Sequence, residues 1–295
     1  MKLSLFTVSY AGFWGQHRLS IEDAVRKAAE LGYEGVELMG KRPHLSPLDW
    51  SLEDCQRLKR LLDDCGVKLS AIAGYTNFTG GGEAPEVPTV ELQIAYVEQL
   101  AQRAQVLGGD LVRIFTSYER NDVPVTTQWF QTVGAIQECC DRAAQYGVSV
   151  GVQNHHDIGV TTKSFAELIR QVNRTNIVPM YDCWCVDLRG EDLAAGVRQM
   201  ADQMRFTTVA DYVTLPRSQY QPPLVNYRDV DPPLVIAVPM GEGELDYSTF
   251  FSELKKANFN GWVSYEMCSP IRDGKSLESL DAYASRFVEH MQEWK

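Results

Sequence analysis

Asp182, Glu266 and the run Gln153-Asn154-His155-His156-Asp157 each close a short apolar segment. Carboxylates beside imidazoles can shuttle protons, ligate divalent cations, or do both. A buried carboxylate is costly unless it is paired, hydrogen-bonded or metal-bound, so polar groups recurring where apolar runs stop point to a shared pocket. The other runs end in Tyr10 and Trp14, Glu37, Tyr75 and Asn77, Arg113 and Thr116, and Asp211. In such a pocket Glu266 and His156 are the candidate catalytic residues. Strand side chains alternate, so one of the two adjacent histidines should point inward, and His156 is the one expected. Arg113, His155, Asp211, Glu37 and Trp14 are read as substrate contacts, with Arg113 equally suited to neutralising neighbouring carboxylates and Glu37 to capping the following loop. Trp14 and Phe78 are read as an apolar wall or, equally, as core packing. His17, His44 and His290 are read as surface or loop residues, and Cys183-Trp184-Cys185 as packing.

One recurring phrase would position these groups: an amphipathic helix, a glycine, then a short β-prone run. Ser20 with Asp23 three residues on marks a helix start. Ile21, Ala24, Val25 and Ala28 follow at helical spacing, Gly32 ends the helix, and Gly35-Val36-Glu37-Leu38 is a strand. The phrase returns through Gly66, Gly108-Gly109 and Gly147, and before residues 177–182, 206–211 and 261–266. With residues 3–9 as the first strand, the tally is about eight units, the number that closes a βα barrel. Continuous apolar strands are buried on both faces, as in a parallel sheet. An open doubly wound sheet is the rival, weakened by the lack of a Gly-x-Gly-x-x-Gly turn after the first strand. No composition shift marks a boundary, so a (β/α)8 barrel with parallel strands is expected as one domain over residues 1–295. Barrels of this kind do their chemistry at the C-terminal strand ends, which is where the polar groups fall. Extended loops interrupt the phrase after strand three (residues 79–88) and strand seven (residues 214–239). The second carries Arg217, read as a further substrate contact. Long loops act as lids or subunit contacts, so a homo-oligomer is among the expectations.

A formal net charge of −11 disfavours nucleic acid as a partner, because that binding rests on neutralising phosphates. The apolar start is too short for a secretory h-region, and no run is long and apolar enough to span a bilayer. The seven cysteines show neither a zinc spacing nor a C-x-x-C pair, so reduced thiols in the cytoplasm are expected.

Gly-Glu-Gly-Glu-Leu-Asp-Tyr at residues 241–247, followed by the run ending in Glu266, is similar to the closing loop and strand of the xylose-isomerase-like TIM-barrel superfamily. The resemblance covers essentially the whole chain, and it implies a sugar isomerase or epimerase acting on a small sugar or polyol. It also implies one divalent ion, held by a Glu on strand five, an Asp on six, a His on seven and a Glu on eight. Asp182 and Glu266 match the second and fourth positions. Gln153 stands where the first Glu is expected, and Thr208 near the expected His. Hard ions accept neutral oxygens, so Asp182, Glu266 and Gln153 are the expected ligands of Mn²⁺, Mg²⁺ or Co²⁺, with His156 as a nitrogen ligand that admits Zn²⁺. The implied reaction is metal-assisted proton transfer next to a carbonyl, with Glu266 as both ligand and candidate base. With Gln153 replacing one carboxylate, one-base aldose–ketose isomerisation is expected over two-base epimerisation. Dehydration of a keto-polyol begins with the same proton abstraction and is one rival; a non-catalytic sugar-binding barrel or partner subunit is another. The apurinic-endonuclease branch needs a histidine-rich three-zinc cluster, against which stand only five histidines and the acidic charge.

Overall fold

The computed structural model describes residues 1–81 and 86–294; the middle of the loop after the third strand, and Lys295, lie outside the described residues. Its parallel strands are β1 (Lys2–Phe6), β2 (Gly35–Met39), β3 (Lys68–Ala73), β4 (Leu111–Ile114), β5 (Ser149–Gln153), β6 (Ile177–Met180) and β7 (Phe206–Val209). After β7 the chain leaves the ring as an antiparallel ribbon, β8 (Asp211–Gln221) and β9 (Asn226–Val238), and returns as β10 (Trp262–Tyr265). The order β6-β5-β4-β3-β2-β1-β10-β7 wraps the eight parallel strands into a nearly closed (β/α)8 barrel. Among the described residues β6 and β7 share no ladder; Thr207 Oγ1 donates to the Tyr181 carbonyl, just past β6, at 2.8 Å, and Gln153 Nε2, from the end of β5, reaches across to Thr208 Oγ1 at 3.2 Å.

Helices α1 (Ile21–Glu30), α2 (Leu52–Asp64), α3 (Thr89–Leu107), α4 (Val125–Ala144) and α5 (Thr162–Val172) cover the first five units. The short α6 (Cys183–Asp187), α7 (Leu193–Met200), α8 (Tyr247–Lys256) and α9 (Leu277–His290) complete the coat. Helix starts follow their capping residues: Ser20 Oγ accepts from the Asp23 amide, and Ser51 with Asp54 forms a full capping box. The barrel floor is filled by Leu111, Val178, Met180 and Phe206, with Trp262 against them. Gly35 is required there, because a Cβ would run into the Trp262 ring.

Two expectations change. The segment after strand seven is a paired ribbon rather than a loop, and its tip is open to solvent, with Leu224 74% and Val225 78% exposed. His44, read as a surface or loop residue, does lie in a loop, but a buried one, 1% exposed. Its Nδ1 meets Thr7 Oγ1 at 3.1 Å and its Nε2 meets the Leu19 carbonyl at 3.2 Å. Burial pushes His44 from the ordinary 6.5 down to about 4. The unfolded chain therefore binds a proton that the folded chain refuses. The resulting stability is complete above pH 6.5 and is lost as pH falls toward 4. The expected loss is on the order of 3 kcal/mol. Denaturant titrations from neutral to acid pH should show a steeper fall for the native chain than for His44→Gln; parallel curves refute the assignment.

All seven cysteines are free. Among the described residues no helix is long and apolar enough to cross a membrane.

Candidate active site

Arg113, the central residue of the site, points inward from β4 and has no exposed surface. Its Nε donates to Glu37 Oε1 at 2.8 Å, its Nη1 to Gln153 Oε1 at 2.6 Å, and its Nη2 reaches Glu266 Oε1 at 3.4 Å. One guanidinium thus ties together side chains from β2, β5 and the end of β10. Burial works against its charge, and Glu37 and Glu266 more than offset that, so it titrates above its ordinary range. The Phe6 and Phe115 rings lie 4.8 and 4.9 Å from the guanidinium carbon. Burial pushes Glu37 up, against the pull of Arg113, and its Oε2 has no hydrogen-bond partner.

Gln153 continues the chain of contacts. Its Nε2 donates to Asp182 Oδ2 at 2.7 Å. The amide cannot turn over, because its NH₂ would then face the Arg113 N–H. Asp182 caps α6, with Oδ1 accepting from the Trp184 amide at 2.9 Å. Burial, then the Glu266 charge, raises Asp182 to about 6. Thiols held neutral by burial complete both carboxylates: Cys185 Sγ lies 3.6 Å from Asp182 Oδ2, and Cys268 Sγ 3.3 Å from Glu266 Oε1.

Above this floor opens a cavity of about 580 Å³ at the C-terminal strand ends. Glu266, Asp182 and Gln153 form its base, and aromatic side chains dominate its walls. The Glu266 side chain is 14% exposed, and Oε2 has no partner among the described residues. Trp14, Tyr75, Phe115, Trp184 and Tyr212 supply apolar surface of the kind that packs on C–H groups.

The expected residues divide into those at the cavity and those elsewhere. Glu266, Asp182, Gln153, His155, His156, Trp14 and Thr208 all line it. Arg113 and Glu37 lie fully buried beneath it. Both histidines reach the cavity, against the expectation from alternation. β5 ends at Gln153, before them, and His156 takes a left-handed φ of 69°. His155 is lowered to about 3 and His156 to about 4, chiefly by burial, so both rings are neutral near pH 7. Asp211 is spent on backbone: Oδ2 accepts from Gly241 and Gly243 at 2.9 and 3.0 Å, pinning the loop that follows the ribbon. A Cβ on Gly243 would run into that carboxylate. Arg217 lies out on the ribbon and donates to the Pro232 carbonyl at 3.0 Å, away from the cavity lining. Phe78 is fully buried core rather than wall. Sequence reasoning missed Lys41, Trp184 and Cys185. Lys41 follows the last residue of β2 by two positions, and that proximity to a strand end was the available signal.

The model of the xylose isomerase-like TIM barrel matches residues 25–286. The chain belongs to this family. Its barrel resembles that of the zinc-bound IolI protein, with a TM-score of 0.76 and 17% identity over 100% of this chain and 99% of that one. It also resembles the probable 3-DHS dehydratase AsbF of Bacillus anthracis, with a TM-score of 0.74 and 20% identity over 98% and 99% of the two chains. Among sequence relatives, fructoselysine 3-epimerase of Escherichia coli O157:H7 is 38% identical over 81 residues, 28% of this chain and 26% of that protein. The match thus spans about a quarter of that relative's length. Ketose 3-epimerase of Arthrobacter globiformis is 22% identical over 84% of this chain and 78% of its own. The family's relatives are therefore enzymes, epimerases and dehydratases.

A divalent ion occurs in the family, as the zinc-bound IolI protein attests, but the residues of this xylose isomerase-like barrel do not fit one. Gln153 turns its NH₂, not its oxygen, toward Asp182, and gives its oxygen to Arg113. Thr208 replaces the expected imidazole and meets that same NH₂. Glu266 Oε1 faces the guanidinium. The His156 ring stacks on Tyr118 with centroids 4.0 Å apart. Among the described residues no three His, Cys, Asp or Glu side chains converge as a ligand set.

Proposed function

We propose that this protein is a sugar-directed isomerase that moves a proton on the carbon next to a carbonyl, acting on a ketose or related polyol. The observation that carries this reading is the Glu266 carboxylate: Oε1 is held by Arg113 and Cys268, while Oε2 is left without a partner at the cavity wall. A base held on one oxygen and open on the other is what proton abstraction requires. Epimerase and dehydratase relatives support the same first step, since each such reaction can begin at a carbon beside a carbonyl.

In this mechanism Glu266 removes the proton and returns it to the neighbouring carbon, converting ketose to aldose. Arg113 holds the base in place from below. His155 and His156, neutral near pH 7, exchange hydrogen bonds with substrate hydroxyls, and Trp14 packs on the carbon chain. Gln153 cannot accept a proton, and Asp182 is engaged by Gln153, Trp184 and Cys185, so the site favours one base over two. The same observation favours elimination of water as the second reading. Free thiols fit a reducing compartment, the cytoplasm. The exposed apolar ribbon tip is the place where two copies would meet.

The test is incubation with a panel of ketoses, aldoses and keto-polyols in D₂O, followed by NMR. Deuterium at the α-carbon with a ketose–aldose product is the expected result. An unsaturated product assigns the dehydratase reading, and absence of both exchange and product across the panel refutes the proposal.

A further inference from the structure

Proton abstraction beside a carbonyl needs positive charge where the oxyanion forms. The donor set described above does not fit a metal, and Arg113 is sealed beneath the floor. We propose that Lys41 supplies that charge, its ammonium binding the substrate carbonyl oxygen and the oxyanion that develops there, in a site that works without a divalent ion. This rests on the carbon-acid reading above.

Lys41 stands just past β2, on the same face of the barrel as the other strand-end groups, and it lines the cavity with Glu266. It is the one lysine or arginine among the described lining residues. Its Nζ sits over the Tyr75 ring at 3.7 Å and within 4.9 Å of the Phe13 centroid. Those rings direct the ammonium without neutralising it. No described Asp or Glu pairs with it; Cys268 beside it is a neutral thiol, and the Arg113 charge opposes its own. Burial lowers Lys41 below its ordinary value, the mark of a cation short of a counter-charge. An oxyanion delivered by the substrate provides one.

The Tyr75 hydroxyl itself is sealed from the cavity, so its ring serves as the seat that holds the ammonium in place. Tyr75 and Cys268 pack into one small cluster above β1 to β3. Lys41 and Glu266 therefore line the same cavity, the ammonium seated on the Tyr75 ring and the carboxylate against Cys268. As Glu266 takes the α-proton, the C–H pair becomes the new C=C bond. The carbonyl π pair moves onto oxygen, where Lys41 receives it. To finish, the neighbouring hydroxyl gives up its proton as its oxygen pair forms the new carbonyl, and the C=C pair takes the carbon-bound proton back from Glu266 on the former carbonyl carbon. The hydroxyl proton ends on the former carbonyl oxygen, so no further reactant is consumed.

The test uses two ligands measured by calorimetry on protein kept in EDTA and shown by elemental analysis to be metal-free. One is the hydroxamate of a short aldonic acid, a planar mimic of the enediolate; the other is an alditol of the same length, which has no such oxygen. The native protein should bind both. Lys41→Met should weaken the hydroxamate by about a hundredfold, as for loss of one oxyanion donor, and leave the alditol unchanged, while Lys41→Arg restores most of the loss. Should the Met variant fail to fold, Lys41→Gln carries the same comparison. Hydroxamate binding that appears only with added metal, or that falls in step with alditol binding, overturns the proposal. α-Deuterium exchange that persists undiminished in Lys41→Met sinks the role of Lys41 alone. Absence of exchange in the native protein, with neither ligand bound, sinks the carbon-acid reading and the proposal with it.

Discussion

Glu266→Gln is expected to lower turnover on an accepted ketose by about a thousandfold, within the range for loss of a positioned general base. Glutamine keeps the shape of the side chain, and its amide oxygen can still face Arg113 and Cys268. The backbone is held independently, because the Glu266 amide donates to the Val209 carbonyl at 2.8 Å. Binding should therefore change little, so the loss falls on kcat rather than KM. Steady-state kinetics with a melting curve for each protein decide the matter. Undiminished kcat removes Glu266 from the mechanism. A rise confined to KM makes it a binding residue.

Arg113→Met should destabilise the fold by about 3–5 kcal/mol, the usual consequence of breaking a buried ion pair by removing one partner. Methionine would sit comfortably between the Phe6 and Phe115 rings, so packing is not the main loss. The loss arises because Glu37, with no exposed surface and already pushed up by burial, loses its one short cationic contact and must either hold a charge in the core or take up a proton. Gln153 is freed as well, and Glu266 loses the group that aims it. Adding Glu37→Gln to Arg113→Met should recover a large part of the stability, because the stranded charge is then gone. Denaturant unfolding of both single variants and the double variant measures this coupling. Additive losses would mean that the two side chains do not act as a pair.

The barrel was legible because its determinants are local. Helix caps such as Ser20 and Ser51 are written in single residues, and apolar runs between glycines reveal strands that are buried on both faces. The ribbon escaped that logic. Its strands carry prolines and face water along most of their length, so they lack the apolar signature that marked the ring strands. The site was legible as a set of strand-end groups, but not in its wiring. Asp211 looks like any other strand-end carboxylate until the return of residues 241–243 shows what it holds. His44 looked peripheral because a histidine in a turn usually is; Thr7 and Leu19, distant in sequence, make it internal. Gln153 could be compared with a glutamate by position. Its orientation depends on Arg113, forty residues away, and no local pattern encodes that.

The ring of strands is joined by ladders at every position except between β6 and β7, where hydroxyl and amide side chains bridge the gap. Backbone ladders cannot be mutated away, but Thr207, Thr208 and Gln153 can. The barrel therefore has a built-in slit, held by these side-chain contacts and by the packing of Val178 and Met180 on Phe206. Amide protons flanking it, next to Asp182 and Val209, should exchange with solvent sooner than those on the opposite arc, β2 to β4. Any motion that widens the mouth for a bulkier guest should start there.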